Sequence, residues 1–325
     1  MLDDKHLMSS RARDEVTRLA PSPTGALHLG NLRTFVINWI LARQRGWRVV
    51  LRIDDLDGPR IKTGAEDGIF QVFRWVGLDW DGGIIHQCDD LDRYRKVMEQ
   101  LCKGGWCYPC SLSRSEIKEA CSAPHGERNE VYFPASLRPA ERPLFDEVES
   151  CHWRFAVPDR VLRVDDGFCG RVVIQPAKSV GDFVVWTKQG LPSYQLAVVM
   201  DDGLQGVTQV VRGDDLLDST GRQLLIMEAM GRSVFPSYTH LPLVLGPDGR
   251  RLAKRHGDTR VLSYRDKGVG VERIIGLMAY WCGTIEEREE MSLDEFVDLF
   301  DLKTVSSEPI TMSDDDEVWL LSEEP

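Results

Sequence analysis

A short segment near residue 25 carries the residue types that bind phosphate. Thr24, His28 and Asn31 fall at the predicted N-terminus of a helix, where free backbone N–H groups and the helix dipole attract anions. Gly25 and Gly30 leave room for a ligand close to the backbone. His28 can donate a hydrogen bond to a phosphate oxygen without carrying a full charge. The segment therefore predicts a phosphate-binding turn rather than a plain connection from strand to helix.

A second segment, residues 249–257, is basic and bounded by glycines, with the sequence Gly-Arg-Arg-Leu-Ala-Lys-Arg-His-Gly. A loop of this composition is usually a solvated turn or a nucleic-acid contact. If it lies beside a phosphate-binding turn, Lys254 could instead hold a triphosphate and neutralise the charge that develops in a transition state. The segment alone is compatible with each of these roles.

The elements around the first segment are predicted to position it at the edge of a parallel sheet. Residues 17–20 read as a short strand, and apolar residues at spacings of three and four within 32–40 predict a helix. Gly46 is placed to end that helix as its C-terminal cap, and Arg48–Ile53 reads as a buried strand. Strand, turn, helix and strand in this order make a βαβ unit with a right-handed crossover.

The middle of the chain, residues 104–190, differs in composition and is predicted to be an insertion. It holds five of the eight cysteines, many prolines and short β-like runs at 171–174 and 183–186. Without a secretory context, these cysteines predict reduced thiols or a metal site rather than disulfides.

Beyond the insertion the pattern of buried elements returns. Residues 196–200 and 207–211 are predicted to be buried strands, and a helix is predicted near residues 220–230. Residues 270–300 group their apolar side chains at helical spacing. From Ser306 onward the acidic, serine-containing sequence predicts a mobile tail.

Composition limits the class of protein. The 325 residues are 42% hydrophobic and 28% charged, an ordinary globular balance that excludes wholesale disorder. No run approaches the roughly 18 apolar residues of a membrane-spanning helix, and the N-terminal residues lack the apolar core of a signal peptide. We therefore expect a cytoplasmic protein.

The net charge of −12 is concentrated at the C-terminal end. Residues 286–325 hold 15 acidic and 2 basic residues, which leaves 37 acidic and 38 basic residues in the rest of the chain. Because the body of the chain is close to neutral, local basic patches and a nucleic-acid partner are not excluded.

Together these segments resemble a known family. His28-Leu-Gly-Asn31 resembles the HIGH signature of the class I aminoacyl-tRNA synthetases, and Arg251-Leu-Ala-Lys254-Arg255 resembles its KMSKS partner. The stretches that are similar to the glutamyl/glutaminyl branch of that family are residues 18–25, 51–57 and 211–217. The resemblance extends from about residue 17 to about residue 265.

The resemblance implies an α/β fold, a Rossmann-like doubly wound parallel sheet with an α+β insertion domain and a C-terminal helical segment. The implied divisions are a flexible N-terminus (1–16), the first Rossmann half (17–103), the insertion, which resembles an acceptor-binding domain (104–190), the second Rossmann half (191–260), a helical stem-contact-like segment (261–305) and the acidic tail (306–325). Such sheets bind ligands at the carboxyl ends of their strands, so His28 and Lys254 are expected to face one cleft there.

The resemblance also implies roles for individual residues, with His28 and Lys254 as the catalytic pair. The residues implied in glutamate binding are Arg18, Leu19, Ala20, Pro21, Ser22, Asp54, Tyr194 and Arg212. Those implied in ATP binding are Thr24, His28, Gly30, Asn31 and Lys254. Arg18 and Arg212 are the cationic groups, since an arginine fork can bind a carboxylate bidentately.

Three positions depart from the family pattern or have a second interpretation. Asp54 stands where the family usually has the longer glutamate, so its contact to the substrate's amino group needs a bridging water or a shifted substrate. Ala253 replaces the usual serine of the second signature, which removes a hydroxyl but leaves the Lys254 cation. Tyr194 matches a pocket tyrosine, although a half-buried core aromatic would show the same pattern.

The implied reaction begins with attack of the glutamate carboxylate on the α-phosphorus of ATP, with Mg²⁺ bridging the phosphates, and gives glutamyl-adenylate and pyrophosphate. The glutamyl group then passes to a hydroxyl on tRNA. About seventy residues follow Lys254, whereas a glutamyl-tRNA synthetase has a helical anticodon-binding region beyond this point. A chain of this size is similar to the paralogous family that attaches glutamate to queuosine at the wobble position of tRNA(Asp), where the core would hold the anticodon stem-loop.

Two other functions stay open on the sequence. One is a truncated glutamyl-tRNA synthetase that charges the 3′ end of tRNA. The other is a non-catalytic tRNA-binding paralogue, for which the departures at Asp54 and Ala253 are the support. No membrane partner is expected, and a monomer is the default expectation for the oligomeric state.

The expectation for zinc is that the protein lacks it. Related paralogues often bind zinc in the insertion through Cys-x-Cys, a tyrosine and a further cysteine. Cys110 and Tyr132 are kept here, but Leu112 and Ser136 stand at the other two positions, and structural zinc sites need four ligands. An alternative set of ligands is Cys107, Cys110, Cys121 and His125. Its spacing is one that zinc accepts, although ordinary reduced cysteines are the simpler interpretation.

Overall fold

The computed structural model describes residues 14–120, 131–148, 150–250, 252 and 259–322. Its strands are β1 (Val16–Leu19), β2 (Arg48–Ile53), β3 (Ile84–His86), β4 (Cys107–Cys110), β5 (His152–Phe155), β6 (Leu162–Asp166), β7 (Gly170–Ile174), β8 (Phe183–Trp186), β9 (Gln209–Gly213), β10 (Ser237–Leu241), β11 (Val244–Leu245) and β12 (Ile310–Thr311). Its α-helices are α1 (Leu29–Arg45), α2 (Ala65–Val76), α3 (Asp92–Lys103), α4 (Arg114–Ala120), α5 (Pro176–Ser179), α6 (Tyr194–Leu204), α7 (Leu217–Ala229), α8 (Val261–Asp266), α9 (Val271–Trp281), α10 (Leu293–Leu299) and α11 (Asp314–Leu321). None of these helices is long and apolar enough to cross a membrane.

Two groups of parallel strands lie side by side and together make the sheet that the sequence predicts. β2 pairs with β1 on one side and with β3 on the other, and β9 pairs with β10. Thr208, directly before β9, joins the two groups because its N–H donates to the carbonyl of Val16 at 2.9 Å. The resulting strand order, β3-β2-β1-β9-β10, is that of a doubly wound sheet, and the predicted fold class is confirmed.

The first βαβ unit follows directly from its residues. The predicted strand Arg48–Ile53 has these bounds in the structure, and it is an apolar run because both of its faces are buried. Val49 and Leu51 enter the core on one face, and Val50 enters the core on the other. The helix α1 ends at the predicted position, where Gly46 takes a left-handed conformation with a φ of 66°.

The insertion contains a three-stranded antiparallel sheet of β4, β5 and β8 and a separate hairpin of β6 and β7, so both β-like runs predicted there are strands. Asp182 is buried and ties its segments together. It accepts hydrogen bonds from the Tyr108 hydroxyl, from the Arg138 guanidinium at 2.6–2.7 Å and from the Val157 N–H at 2.9 Å. The described cysteines are free thiols, so hydrogen bonds and packing hold this region.

The prediction of a strand at residues 196–200 is wrong, because these residues lie inside helix α6. The helix is buried on most of its surface, and a short apolar run does not distinguish a buried helix from a buried strand. Ser193, directly before α6, is a residue type that favours a helix start. The neighbouring predictions, a strand at 207–211 and a helix near 220–230, are confirmed by β9 and α7 within a few residues.

The prediction of a mobile tail from Ser306 is wrong for the residues up to 322. β12 pairs in parallel with β11, and α11 packs against α9. Ser313 and Asp316 cap the start of α11, since each side chain accepts the other residue's backbone N–H. Asp316 is buried and also accepts from Arg288 at 2.7 Å. Acidic residues are favourable at a helix N-terminus, so here the acidic composition supports a folded element.

Replacing Leu320 with alanine should lower the free energy of unfolding by about 2–5 kcal/mol, because this side chain of α11 is fully buried in the main core. Denaturant-induced unfolding measures the change. Val318→Ala is the control, since Val318 lies in the same helix but is 67% exposed, and it should change stability by less than about 0.5 kcal/mol. Equal effects of the two substitutions would contradict the packed position of α11.

Candidate functional site

A cleft of about 1090 Å³ opens at the carboxyl ends of the parallel strands. Each strand contributes a residue at or just beyond its end, namely Ala20, Asp54, Gln87, Gly213 and Leu243. Doubly wound sheets bind ligands at this edge, because the loops that leave the strands separate there. The topology therefore places the site before any side chain is considered.

Most of the predicted site residues lie on the wall of this cleft. They are Arg18, Ala20, Ser22, His28, Gly30, Asn31, Asp54, Tyr194 and Arg212. Leu19 and Pro21 are buried behind the wall, and Thr24 is half-buried and does not line the described part of the cleft. Lys254 and Ala253 lie outside the described residues, so the position of Lys254 in the cleft stays a prediction.

One end of the cleft is formed by the N-terminus of α1. His28 precedes the helix in an extended conformation, and Gly30 and Asn31 in its first turn line the cleft. The N–H groups of a first turn have no acceptor within the helix, so this end suits an anion. Gly30 also has a packing role, because a Cβ there would lie 3.2 Å from the Cβ of Val244. The close approach at this glycine is therefore also one between protein segments, which the sequence did not indicate.

The basic segment that contains Lys254 leaves and re-enters the described structure beside this same helix terminus. Within it, Leu252 is described and lines the cleft, and its N–H donates to the carbonyl of Val244 at 3.2 Å. After it, the carbonyl of Thr259 accepts from the N–H of Leu29 at 3.2 Å. Both described ends of the segment are thus held next to α1.

A group of buried charges forms another part of the wall. Arg52 is fully buried and donates from Nε to Asp54 and from Nη1 to Asp202, both at 2.6 Å. Asp202 also lies 3.4 Å from the Nε of Arg18, so one carboxylate faces two guanidinium groups. Arg18 donates from Nη1 to the carbonyl of Val211 at 3.2 Å. Because buried ions are costly unless they are paired, these side chains form a single electrostatic unit.

The two carboxylates of this unit have opposite pKa shifts. Burial alone would raise the pKa of Asp202, but the cations Arg18 and Arg52 lower it below its ordinary value. Burial raises the pKa of Asp54 more than its ion pair with Arg52 lowers it, and the charge of Asp202 adds to the rise. The Asp54 side chain is 12% exposed and lines the cleft. A cation that binds beside Asp54 would therefore stabilise its charged form.

Arg212, on β9, is held by several neighbours. Its Nε, Nη1 and Nη2 groups donate at 2.8–3.2 Å to His240, Gln223, Thr220 and the carbonyl of Leu216. Among the described residues, these contacts leave one N–H of Arg212, on Nη1, for a ligand. A bidentate fork, which the sequence predicts, does not fit these contacts, whereas a single directed hydrogen bond does.

The remaining wall comes from α6 and from the insertion. Tyr194 lines the cleft and is 42% exposed, so it is not a core aromatic. The insertion contributes Arg114, His152 and Thr187. Burial and neighbouring cations lower the pKa of His152, so its ring is neutral at pH 7. The sheet thus contributes a wall of paired charged groups. The insertion contributes a wall that combines one arginine with neutral polar side chains.

Sequence reasoning missed Arg52 and His152 as cleft residues and Asp202 as the buried partner of Arg18 and Arg52. Arg52 carries a usable signal, because a charged side chain inside an otherwise apolar strand requires a buried partner. Asp202 was missed because residues 196–200 were predicted to be a strand, whereas they belong to the helix whose last turn carries Asp202. His152 carries no signal in the sequence, since only the folding of the insertion brings it to the cleft.

The alternative zinc ligands do not converge among the described residues. Cys107 and Cys110 are three positions apart on β4, so their side chains point to opposite faces and enter separate cores. Cys121 and His125 lie outside the described residues. No group of three or more metal-ligating side chains occurs in the part of the chain that the structure describes. That the protein lacks zinc stays a prediction.

Comparison with known proteins finds similar chains over most of the length. The model of the family "tRNA synthetases class I (E and Q), catalytic domain" matches residues 15–319. Two relatives named glutamyl-Q tRNA(Asp) synthetase are 41% identical over 306 residues (Symbiobacterium thermophilum) and 42% identical over 324 residues (Rhodopirellula baltica). These matches cover 90% and 92% of this chain and 94% and 97% of the relatives.

Longer relatives match the same region. Glutamate–tRNA ligase 2 of Coxiella burnetii is 36% identical over 304 residues, which is 94% of this chain and 64% of that protein. A crystal structure of a glutamate tRNA ligase from Elizabethkingia meningosepticum, in complex with its amino acid, has a TM-score of 0.78 and 28% identity. That match covers 94% of this chain and 68% of the ligase, so the two share a fold over nearly all of this chain.

Replacing Asp202 with asparagine should lower the free energy of unfolding by about 3–5 kcal/mol, because Arg18 would stay buried without this counter-charge and Arg52 would keep only Asp54. Urea unfolding curves measure the change. The control, Asp165→Asn, removes an ion pair with Arg171 in which Asp165 is 82% exposed, and it should cost less than about 1 kcal/mol. An effect at Asp202 no larger than the effect at Asp165 would contradict the buried pairing.

Proposed function

The chain belongs to the class I tRNA synthetases of the glutamate and glutamine type, and we propose that it activates L-glutamate with ATP and transfers the glutamyl group to queuosine at the wobble position of tRNA(Asp). The observation that carries this proposal is the pair of relatives named for glutamyl-Q tRNA(Asp) synthesis, which match this chain along nearly their whole length. The glutamate–tRNA ligase of Coxiella burnetii is less similar, and its match covers 64% of that protein.

The charged wall of the cleft has groups that complement glutamate, which carries two carboxylates and one ammonium group. Asp54 pairs with Arg52 through one oxygen and lines the cleft, so its carboxylate would bind the ammonium group, directly or through a water. Arg18 and the remaining N–H of Arg212 would bind the side-chain carboxylate. The α-carboxylate would then be free to react.

ATP would lie with its phosphates at the N-terminus of α1, beside His28, Gly30 and Asn31. An oxygen of the glutamate α-carboxylate attacks the α-phosphorus, the bond from that phosphorus to the bridging oxygen of the β-phosphate breaks, and pyrophosphate leaves. These residues would hold the reactants in line, and Lys254 and His28 would offset the charge on the leaving group. Mg²⁺ would arrive on the ATP phosphates and neutralise part of their charge, since the described residues contain no cluster of ligands for a protein-bound ion.

The second step transfers the glutamyl group to tRNA. A hydroxyl of queuosine attacks the carbonyl carbon of glutamyl-adenylate, and AMP leaves. The wall from the insertion, which includes Arg114 and His152, suits an unstacked base because such bases are bound through polar edges and ring faces. We propose that the anticodon stem-loop of tRNA(Asp) binds on this side. A monomer would suffice, because all these groups come from one chain, and the substrates indicate the cytoplasm.

Two alternative functions differ from the proposed one in the product that they would form. Charging of the tRNA 3′ end is supported by the ligase relatives. A non-catalytic tRNA-binding role is supported only by the departures at Asp54 and Ala253. The first alternative places glutamate at the other end of the tRNA, and the second predicts no activation of glutamate at all.

Mapping of labelled glutamate on tRNA(Asp) distinguishes the three functions. With ATP present, we expect label to enter only tRNA that contains queuosine and to stay with the anticodon-loop fragment after nuclease cleavage. Label on the 3′ fragment, independent of queuosine, would instead identify a glutamyl-tRNA synthetase. If glutamate-dependent exchange between ATP and pyrophosphate is absent, the protein is a binding module and the proposed function is rejected.

Replacing Lys254 with alanine should slow glutamyl-adenylate formation by about 10²–10³-fold with little change in glutamate affinity, because its charge is needed mainly as pyrophosphate departs. ATP–pyrophosphate exchange measures the rate. Lys267→Ala, which removes an exposed lysine outside the cleft, is the control and should retain the wild-type rate within about twofold. A Lys254→Ala rate in that same range would show that the basic segment is not catalytic.

A further inference from the structure

A buried carboxylate and a buried imidazole stand directly behind Arg212, and the mechanism above does not use them. Asp166 ends β6 and His240 lies in β10, and both side chains are closed to solvent. The Nδ1 of His240 lies 2.7 Å from the Oδ2 of Asp166, and its Nε2 accepts from the Nε of Arg212 at 3.0 Å. The three side chains form a hydrogen-bonded line from the turn after β6 to the wall of the cleft.

The protonation state of His240 follows from its two neighbours. The guanidinium group of Arg212 can only donate, so the Nε2 of His240 must present a lone pair. The ring proton is then on Nδ1 and is donated to Asp166, which holds the imidazole in this tautomer. Burial lowers the pKa of His240, and the charge of Arg212 adds to this effect, while the contact with Asp166 opposes it. The ring is therefore neutral at pH 7.

The two oxygens of Asp166 have separate partners. Oδ1 accepts three backbone N–H groups, from Phe168, Cys169 and His240, at 2.9–3.1 Å. These contacts hold the turn between β6 and β7 against β10. Oδ2 contacts the imidazole of His240. The contacts of Oδ1 are sufficient to hold the turn in place. The contact of Oδ2 has a different effect, because it fixes the orientation and the tautomer of the His240 ring.

We propose that Asp166 and His240 are positioning residues for glutamate recognition, which fix Arg212 so that its remaining N–H is directed at the substrate carboxylate. The inference rests on the proposed glutamate-binding role of Arg212. Thr220 supports the same arrangement, because its hydroxyl accepts from the Nη2 of Arg212 at 2.8 Å and lies 3.3 Å from the Nε2 of His240. The ring and the hydroxyl together set the plane of the guanidinium group.

Protonation of His240 would disrupt this arrangement. It would place an N–H on Nε2 against the Nε–H of Arg212, so that two donors and two cations would face each other. Besides Arg212, the charged or titratable groups near the His240 ring are Asp166, Arg18, Asp214, Cys169 and Tyr238. The carboxylates favour the protonated ring, whereas burial and the arginines oppose it. Because burial and the arginines lower the pKa of His240, the Michaelis constant for glutamate should rise only at pH values clearly below about 6.5, the ordinary pKa of histidine.

The first test compares wild type with His240→Gln in ATP–pyrophosphate exchange from about pH 8 down to about pH 4.5, or to the lowest pH at which both proteins stay folded. In wild type, KM for glutamate should rise about tenfold toward the acidic limit, while KM for ATP and kcat change by less than about twofold. The amide oxygen of glutamine can accept from Arg212 but does not titrate, so the ratio of the wild-type KM to the variant KM should rise toward the acidic limit. Both proteins retain Asp54, so its titration cancels in the comparison. Asp165→Asn, an exposed neighbour of Asp166, should follow the wild-type profile.

A second variant tests the tautomer independently. In Asp166→Asn the amide N–H would donate to the Nδ1 of His240 and force the ring proton onto Nε2, as replacing the buried aspartate does in the serine-protease triad. KM for glutamate should then be about tenfold higher at every pH, with KM for ATP unchanged. Thermal unfolding establishes that each variant is folded, and if one is not, the other variant decides.

Three results would each overturn the proposal: a wild-type KM for glutamate that does not change with pH, a His240→Gln profile parallel to wild type, or a wild-type KM in Asp166→Asn. A different result rejects the proposed function instead, namely a wild-type protein with no glutamate-dependent exchange. In that case wild type does not activate glutamate, so KM for glutamate cannot be measured and the pH comparison of the variants cannot be made.

Discussion

Arg18 and Arg52 are removed from water in the wall of the cleft, and a single carboxylate, Asp202, faces both of them. An unpaired buried ion costs several kcal/mol, so helix α6 has to lie where its last turn reaches β1 and β2. The same placement puts the first residue of α6, Tyr194, on the cleft wall. Charge neutralisation at one end of the helix thus determines which side chain the other end presents to a ligand.

The two ends of the cleft would attract their proposed ligand groups, phosphate and the charged groups of glutamate, through different interactions. At the N-terminus of α1, where we propose that phosphate binds, the attraction would come from backbone dipoles, which are oriented by the fold and need no counter-ion. At the other end, charged side chains would bind the charged groups of glutamate, and each of these side chains is already ion-paired or hydrogen-bonded within the protein. Asp54 is paired with Arg52, and Arg212 is held by four acceptors. A ligand therefore meets charged groups whose positions are set in advance, which favours discrimination by geometry over simple attraction.

The acidic C-terminal segment supports the site from behind. Its strand β12 pairs with β11, and Val244 of β11 both lines the cleft and packs against Gly30 in α1. The acidic residues themselves cap α11 or face solvent, and Asp316 turns inward to meet Arg288. This segment therefore supports the site through packing and backbone pairing. Its acidic side chains, as far as residue 322, do not line the cleft, so they do not oppose the binding of anionic ligands there.

The sequence by itself determined the first βαβ unit, the parallel sheet and the position of the helix N-terminus that we propose binds phosphate, because these depend on local periodicity and on glycine conformation. Its resemblance to a family also indicated Arg18, Asp54 and Arg212. The tertiary structure alone decided that residues 196–200 are a helix, since burial on most of its surface removes the polar face that a periodicity argument needs. It also decided the partners of the charged groups. Arg52 and Asp202 are 150 positions apart, and Asp166 and His240 are 74 positions apart. A buried charge specifies that it needs a partner, but only the packing of distant segments determines which residue that partner is.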